Sequence, residues 1–105
     1  MTDKPPFDLS RIDRLIHSPV RLGVLAALHS GGEESFTNLK KIVGATDGNL
    51  TIHLKVLEDN GIIKVRKAFV DRRPRSSYRL TEKGRRMFRE YVECVSQMVE
   101  QLKKV

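Results

Sequence analysis

The segment from Phe36 to Gly61 constrains the fold most, because its punctuation allows two short helices and almost nothing between them. Phe36 can start a short extended piece, after which Thr37 caps a two-turn helix that turns Leu39, Ile42 and Val43 inward and stops at Gly44. Thr46 caps a second helix from Asp47 to about Asn60, with Leu50, Leu54 and Leu57 on its core face and Gly61 as the stop. Only Gly44, Ala45 and the cap separate them. Two short helices joined so tightly, the second amphipathic, make a helix-turn-helix pattern.

The flanks supply the remaining elements. Asp8 or Ser10 can cap a helix through His17, residues 8–17, whose Leu9, Ile12 and Ile16 share one face. Ser18 before Pro19 restarts the chain as a helix to about Ser30, since proline at the first helical position gives up an N–H that would be unpaired anyway. Its Val20, Leu22, Val24, Leu25, Ala26 and Leu28 go most of the way round, as in a central core helix. After Gly61 the period changes to two: Ile63 and Val65 alternate with Lys64 and Arg66, the mark of a strand with one buried face. Val70 to Ser76 reads as a polar turn and Ser77 to Leu80 as the returning strand, a hairpin with a basic tip. Thr81 caps a last helix over residues 82–105, about 24 residues or ~36 Å long. The chain is thus mainly α with a small β-hairpin, and 105 residues suit a single domain, 1–105.

Charge narrows the possible partners. The net charge is +7, and it is local: residues 1–61 carry 7 basic and 8 acidic side chains, whereas residues 62–90 carry 11 and 3. Arginine dominates that second stretch, and its planar fork of donors matches phosphate. A polyanion is the expected partner. The single cysteine, Cys94, excludes an internal disulfide and a thiolate-rich metal site, which fits a reducing compartment. His17, His29 and His53 have neither the spacing nor the companions of a zinc site. No nucleophile motif, phosphate-cradling loop or dinucleotide fingerprint occurs, so no enzyme activity, cofactor or metal is expected. The N-terminus has no basic stretch leading into an apolar one and no segment approaches bilayer length, so a cytoplasmic protein without membrane attachment is expected.

The order of elements is that of a winged helix-turn-helix domain with a long C-terminal helix. The run Asp47-Gly48-Asn49-Leu50-Thr51-Ile52-His53-Leu54-Lys55-Val56-Leu57-Glu58-Asp59-Asn60-Gly61-Ile62-Ile63 resembles the recognition helix of ArsR/MarR-like transcriptional regulators. Ser18-Pro19-Val20-Arg21 resembles the group's helix-opening motif, and Tyr78-Arg79-Leu80-Thr81-Glu82-Lys83-Gly84 its wing-closing motif. The resemblance covers most of residues 18–86. It implies a dimeric, sequence-specific regulator of transcription that places the second helix of the motif in the major groove of duplex DNA and the wing beside it. This sequence departs from the group in two ways: Ile52 stands where a polar or basic residue is common, and the thiol motif of the metal-sensing branch is absent.

On the recognition helix the candidates for DNA contact are Asn49, Thr51, Ile52, His53 and Lys55. Asn49 can pair bidentately with adenine, Thr51 can bond a base or phosphate, and Lys55 can reach guanine or phosphate. Ile52 either meets a thymine methyl or is partly buried, and His53 either faces outward or packs on its neighbours. Arg72, Arg73 and Arg75 surround Pro74 at the wing and can enter a minor groove. Lys64, Arg66 and Arg79, on the polar faces of the strands, suit phosphates.

Phe88, Tyr91, Val95, Met98 and Leu102 repeat at alternating spacings of three and four along the last helix, widened by Val92 and Val99. A homodimer follows if Tyr91, Val95, Met98, Val99 and Leu102 meet Leu9, Ile12 and Ile16 across a two-fold axis. The rival functions are a winged domain that binds protein instead of DNA, using Ile52 and Val56, and a sensor of a small-molecule effector of unknown identity.

Overall fold

Each helix begins where a hydroxyl-bearing side chain can take up an otherwise free N–H. Ser18, Ser35, Thr46 and Thr81 hold extended backbone and accept from the N–H groups of Arg21, Asn38, Asn49 and Gly84. The computed structural model describes residue 10 and residues 12–104. The elements they delimit are α1 (Pro19–Gly31), β1 (Glu33–Ser35), α2 (Phe36–Val43), α3 (Asp47–Asp59), β2 (Ile63–Val70), β3 (Arg73–Leu80) and α4 (Glu82–Lys103). The winged helix fold with its long C-terminal helix is present.

Four details differ from the sequence reading. Residues 12–17 form a turn instead of the end of a helix, because Asp13 satisfies the chain locally. Its carbonyl accepts from Ile16 N at 3.1 Å and His17 N at 2.8 Å, and its carboxylate accepts from Leu15 N at 2.9 Å. Leu9 lies outside the described residues. No extended piece begins at Phe36: the strand β1 precedes it, Phe36 opens α2 with Ser35 as the cap in place of Thr37, and Ile42, expected to turn inward, is exposed. On α1, Val24, Leu25 and Leu28 are buried but Ala26 is exposed, so the helix is covered on one side instead of all round.

The fourth difference is the wing. Its turn contains only Asp71 and Arg72, with φ of 51° and 63°, and Val70 already pairs with Arg73. Two left-handed residues in a two-residue loop match the right-handed twist of the flanking strands. The strands therefore run on, and Arg73, Pro74 and Arg75 belong to β3 instead of a seven-residue turn. Pro74 is tolerated because β1 pairs only with Ser77 to Arg79, leaving β3 a single neighbour at Pro74. The antiparallel sheet has the order β1-β3-β2.

The core joins Leu25 and Leu28 of α1, Leu39 of α2, Leu50 and Leu57 of α3 and Ile63 of β2. α4 is fastened where β3 ends. The Thr81 hydroxyl donates to Gly61 O at 2.6 Å and Thr81 N to Ile62 O at 3.0 Å, and a Cβ on Gly84 would overlap that Ile62 carbonyl. Phe88, Tyr91 and Cys94 are the last side chains α4 buries. Among the described residues no helix is long and apolar enough to cross a membrane.

Candidate nucleic-acid interface

Burying Leu50, Leu54 and Leu57 turns Gly48, Ile52 and Lys55 to the opposite side of α3, with Asn49 and Thr51 on its flanks. Ile52 is 65% exposed, which excludes a buried role for it within this chain. The Asn49 side-chain amide bonds no other described residue. The Thr51 hydroxyl donates to Asp47 O at 2.7 Å, so it meets an incoming group as an acceptor. Lys55 pairs with Asp59 at 2.8 Å, and that hydrogen bond, with the charge behind it, raises the Lys55 pKa. Lys55 therefore remains a cation.

His53 is withdrawn from the outer face, which corrects its place among the DNA-contacting candidates. Arg21 of α1 donates from Nε to His53 Nδ1 at 3.0 Å and from Nη1 to Leu15 O at 3.0 Å. Burial, and then the Arg21 charge, lower the His53 pKa, so the ring is held neutral with Nδ1 as acceptor. The signal was in the spacing. His53 stands three residues after Leu50 and four before Leu57, on the core side of the helix.

The wing stands beside this helix and shows it one of its two faces. Val65, Lys67 and Tyr78 line a cleft shared with Thr51, Lys55 and Phe36, so this face of the sheet looks toward α3. Lys67 was not among the expected contacts. What would have singled it out is period two counted from Ile63, which puts Lys67 on the buried side of the strand, out past the core. Lys64, Arg66 and Arg79 take the alternate positions, so they lie on the face turned away from α3. There Arg66 pairs with Glu33 at 3.2 Å, and Glu33 also accepts from Ser77 Oγ at 2.6 Å. The Ser77 hydrogen bond and the nearby Arg66 and Arg79 charges lower the Glu33 pKa. Arg72, Arg73 and Arg75 are exposed and make no ion pair within the described residues. Arg72 alone sits in the turn; Arg73 and Arg75 follow it on β3.

The residues expected at a dimer interface divide. Ile16 is wholly buried and Tyr91 nearly so, in the core of their own chain, and the Tyr91 hydroxyl meets His17 Nδ1 at 2.7 Å. Ile12 and Val95 pack against the same core. Met98 is half-buried, whereas Val92, Val99 and Leu102 are exposed. Among the described residues no group of three His, Cys, Asp or Glu side chains is placed to hold a metal.

A helix-turn-helix whose second helix is exposed beside a basic β-ribbon defines a winged helix protein. The model of the winged helix DNA-binding domain family matches residues 20–99, and the chain belongs to that family. It is 34% identical over 85 residues to an uncharacterised protein of Methanocaldococcus jannaschii, a match covering 81% of this chain and 92% of that one. Its structure is similar to that of a transcriptional regulator homologue from Pyrococcus horikoshii OT3, with a TM-score of 0.80 and 30% identity over 86% of this chain and 89% of the other. It also shares its fold with a MarR family transcriptional regulator from Silicibacter pomeroyi, with a TM-score of 0.67 and 22% identity over 83% and 57% of the two chains.

Proposed function

We propose that the chain, acting as one domain, is a sequence-specific transcriptional regulator that binds duplex DNA as a homodimer. The N-terminal half of α3 enters the major groove, and Arg72, Arg73 and Arg75 reach the flanking minor groove or backbone. The observation that carries this reading is the joint exposure of the Gly48/Ile52/Lys55 face and three unpaired arginines on the neighbouring ribbon. Asn49 and Thr51 read base edges, Ile52 meets a thymine methyl, Lys67 takes a phosphate, and Lys55 takes another once Asp59 releases it. Lys64, Arg66 and Arg79 add long-range attraction from the far side of the sheet.

Dimerisation rests on the end of α4. Beyond Cys94 the helix continues for nine residues, ~14 Å, with Val99 and Leu102 exposed and Met98 only half-buried. A second copy would cover them. Two-fold symmetry then sets two α3 helices one DNA turn apart, ~34 Å, or a multiple of it, and makes the operator pseudo-palindromic.

Selection from a random duplex pool, followed by affinity measurements over a salt series, tests the reading. Enrichment of a palindromic site, with discrimination lost in Asn49→Ala and Thr51→Ala, is expected. Absence of duplex binding at low salt would refute it in favour of a protein-interaction module.

A further inference from the structure

Phe69 is the most exposed large apolar side chain among the described residues, at 77%, and it stands near the tip of a charged ribbon. Nothing in the fold of this chain calls for an aromatic ring there. Ile63, six residues earlier, is the last fully buried side chain of β2, so Phe69 lies ~20 Å along the strand from the core. Its position on the ribbon is nonetheless defined. Counting by twos from Ile63 through Val65 and Lys67 reaches Phe69, so the ring is on the face that looks toward α3. Directly across the ladder stands Pro74, and together they make an apolar pad on that face.

The surroundings of the pad limit what can cover it. Lys67 stands two residues before Phe69 on the same face, Arg72 sits in the adjoining turn, Arg73 and Arg75 flank Pro74 from the other face of the two-stranded ribbon, and Asp71 is the only carboxylate of residues 62–80. A protein surface apolar enough to cover the ring would also have to accommodate these cations. A minor groove offers both partners at once: anionic phosphates along its rims, and between them walls formed by the apolar faces of the deoxyriboses. We propose that Phe69, backed by Pro74, packs against deoxyribose in the minor groove flanking the site read by α3. It gives the wing a contact that owes nothing to charge. This rests on the DNA-binding reading above, and it divides the wing's work: the arginines respond to salt and the phenylalanine does not.

The experiment uses the full-length protein and the best duplex recovered from the random pool. Affinity is measured across a salt series for wild type, Phe69→Ala and Phe69→Leu, and each complex is footprinted with hydroxyl radical, which attacks deoxyribose from the minor groove. Phe69→Ala is expected to lower affinity about tenfold at every salt concentration with an unchanged salt slope, as loss of a buried apolar contact without loss of ion release requires. Protection in the flanking minor grooves should disappear while the central site stays protected, and Phe69→Leu should restore part of both. Unchanged affinity and flanking protection in Phe69→Ala would overturn the proposal and leave the regulator reading intact. A change of association state in Phe69→Ala would overturn it too, by assigning the ring to a second copy. A wild-type protein without affinity for any duplex would refute the regulator reading itself.

Discussion

Gly48 is a glycine that the protein's own fold does not require. It lies inside α3, and a Cβ built there meets nothing within 4 Å. Alanine is the better helix former, so Gly48→Ala should raise stability by about 0.5 kcal/mol, measured by urea unfolding. The same methyl would stand between the helix and the floor of a major groove, so operator affinity should fall; equal affinity in the variant would mean that this end of α3 is not in the groove. His53 gives a second test at this scale, through pH. Its ordinary pKa of 6.5 is lowered in the folded chain, so on acidification the unfolded chain takes the proton first. Stability is therefore full above about 6.5 and declines as pH falls from there toward the lowered native value. His53→Gln, which can still accept from Arg21, should lose less thermal stability than wild type between neutral and mildly acidic pH.

Among the elements, the wing differs most from what its sequence suggests. Left-handed turn residues are normally announced by Gly or Asn, and Asp71-Arg72 carries neither, so a loose polar turn was the natural reading and a tight one is present. β1 was illegible for another reason: Glu33-Glu34-Ser35 has no apolar alternation and is a strand only because β3 offers it a partner. The longer ribbon spaces its cations along a strand instead of gathering them at a tip, and each acts separately. Arg72→Ala with Arg73→Ala should therefore lower affinity for specific and scrambled duplexes alike, and reduce the slope of log affinity against log salt by up to about 2. An unchanged slope would remove the wing's arginines from phosphate contact.

For the whole molecule the open question is what covers the end of α4. Two turns of helix carrying Val99 and Leu102, the latter 58% exposed, gain no stability from a core they do not touch, and so short a helix is marginal alone. Val99→Asp with Leu102→Asp spares the core because both residues are exposed. It should give a folded monomer by sedimentation, with operator affinity reduced far more than a single half-site contact would explain. A dimer that survives the double substitution would place the interface elsewhere. Val95, which packs on the core of its own chain, is a poorer choice for this test.

Much of this protein was determined locally, and therefore by sequence. Ser18, Thr46 and Thr81 each cap the helix they were expected to cap, and α3 and the start of α4 lie where that reading put them, because a cap and a glycine stop act within one turn of chain. The local excess of arginine was equally plain. Tertiary structure alone decided what depends on a neighbour distant in sequence. It gave His53 to Arg21 and buried Ile16 and Tyr91 within their own chain. It turned Lys67 and Phe69 toward α3 while Lys64, Arg66 and Arg79 turned away. Period two from Ile63 marks the buried set of the strand, but that this face continues past the core beside the exposed residues of α3 depends on how the ribbon docks, a long-range packing event.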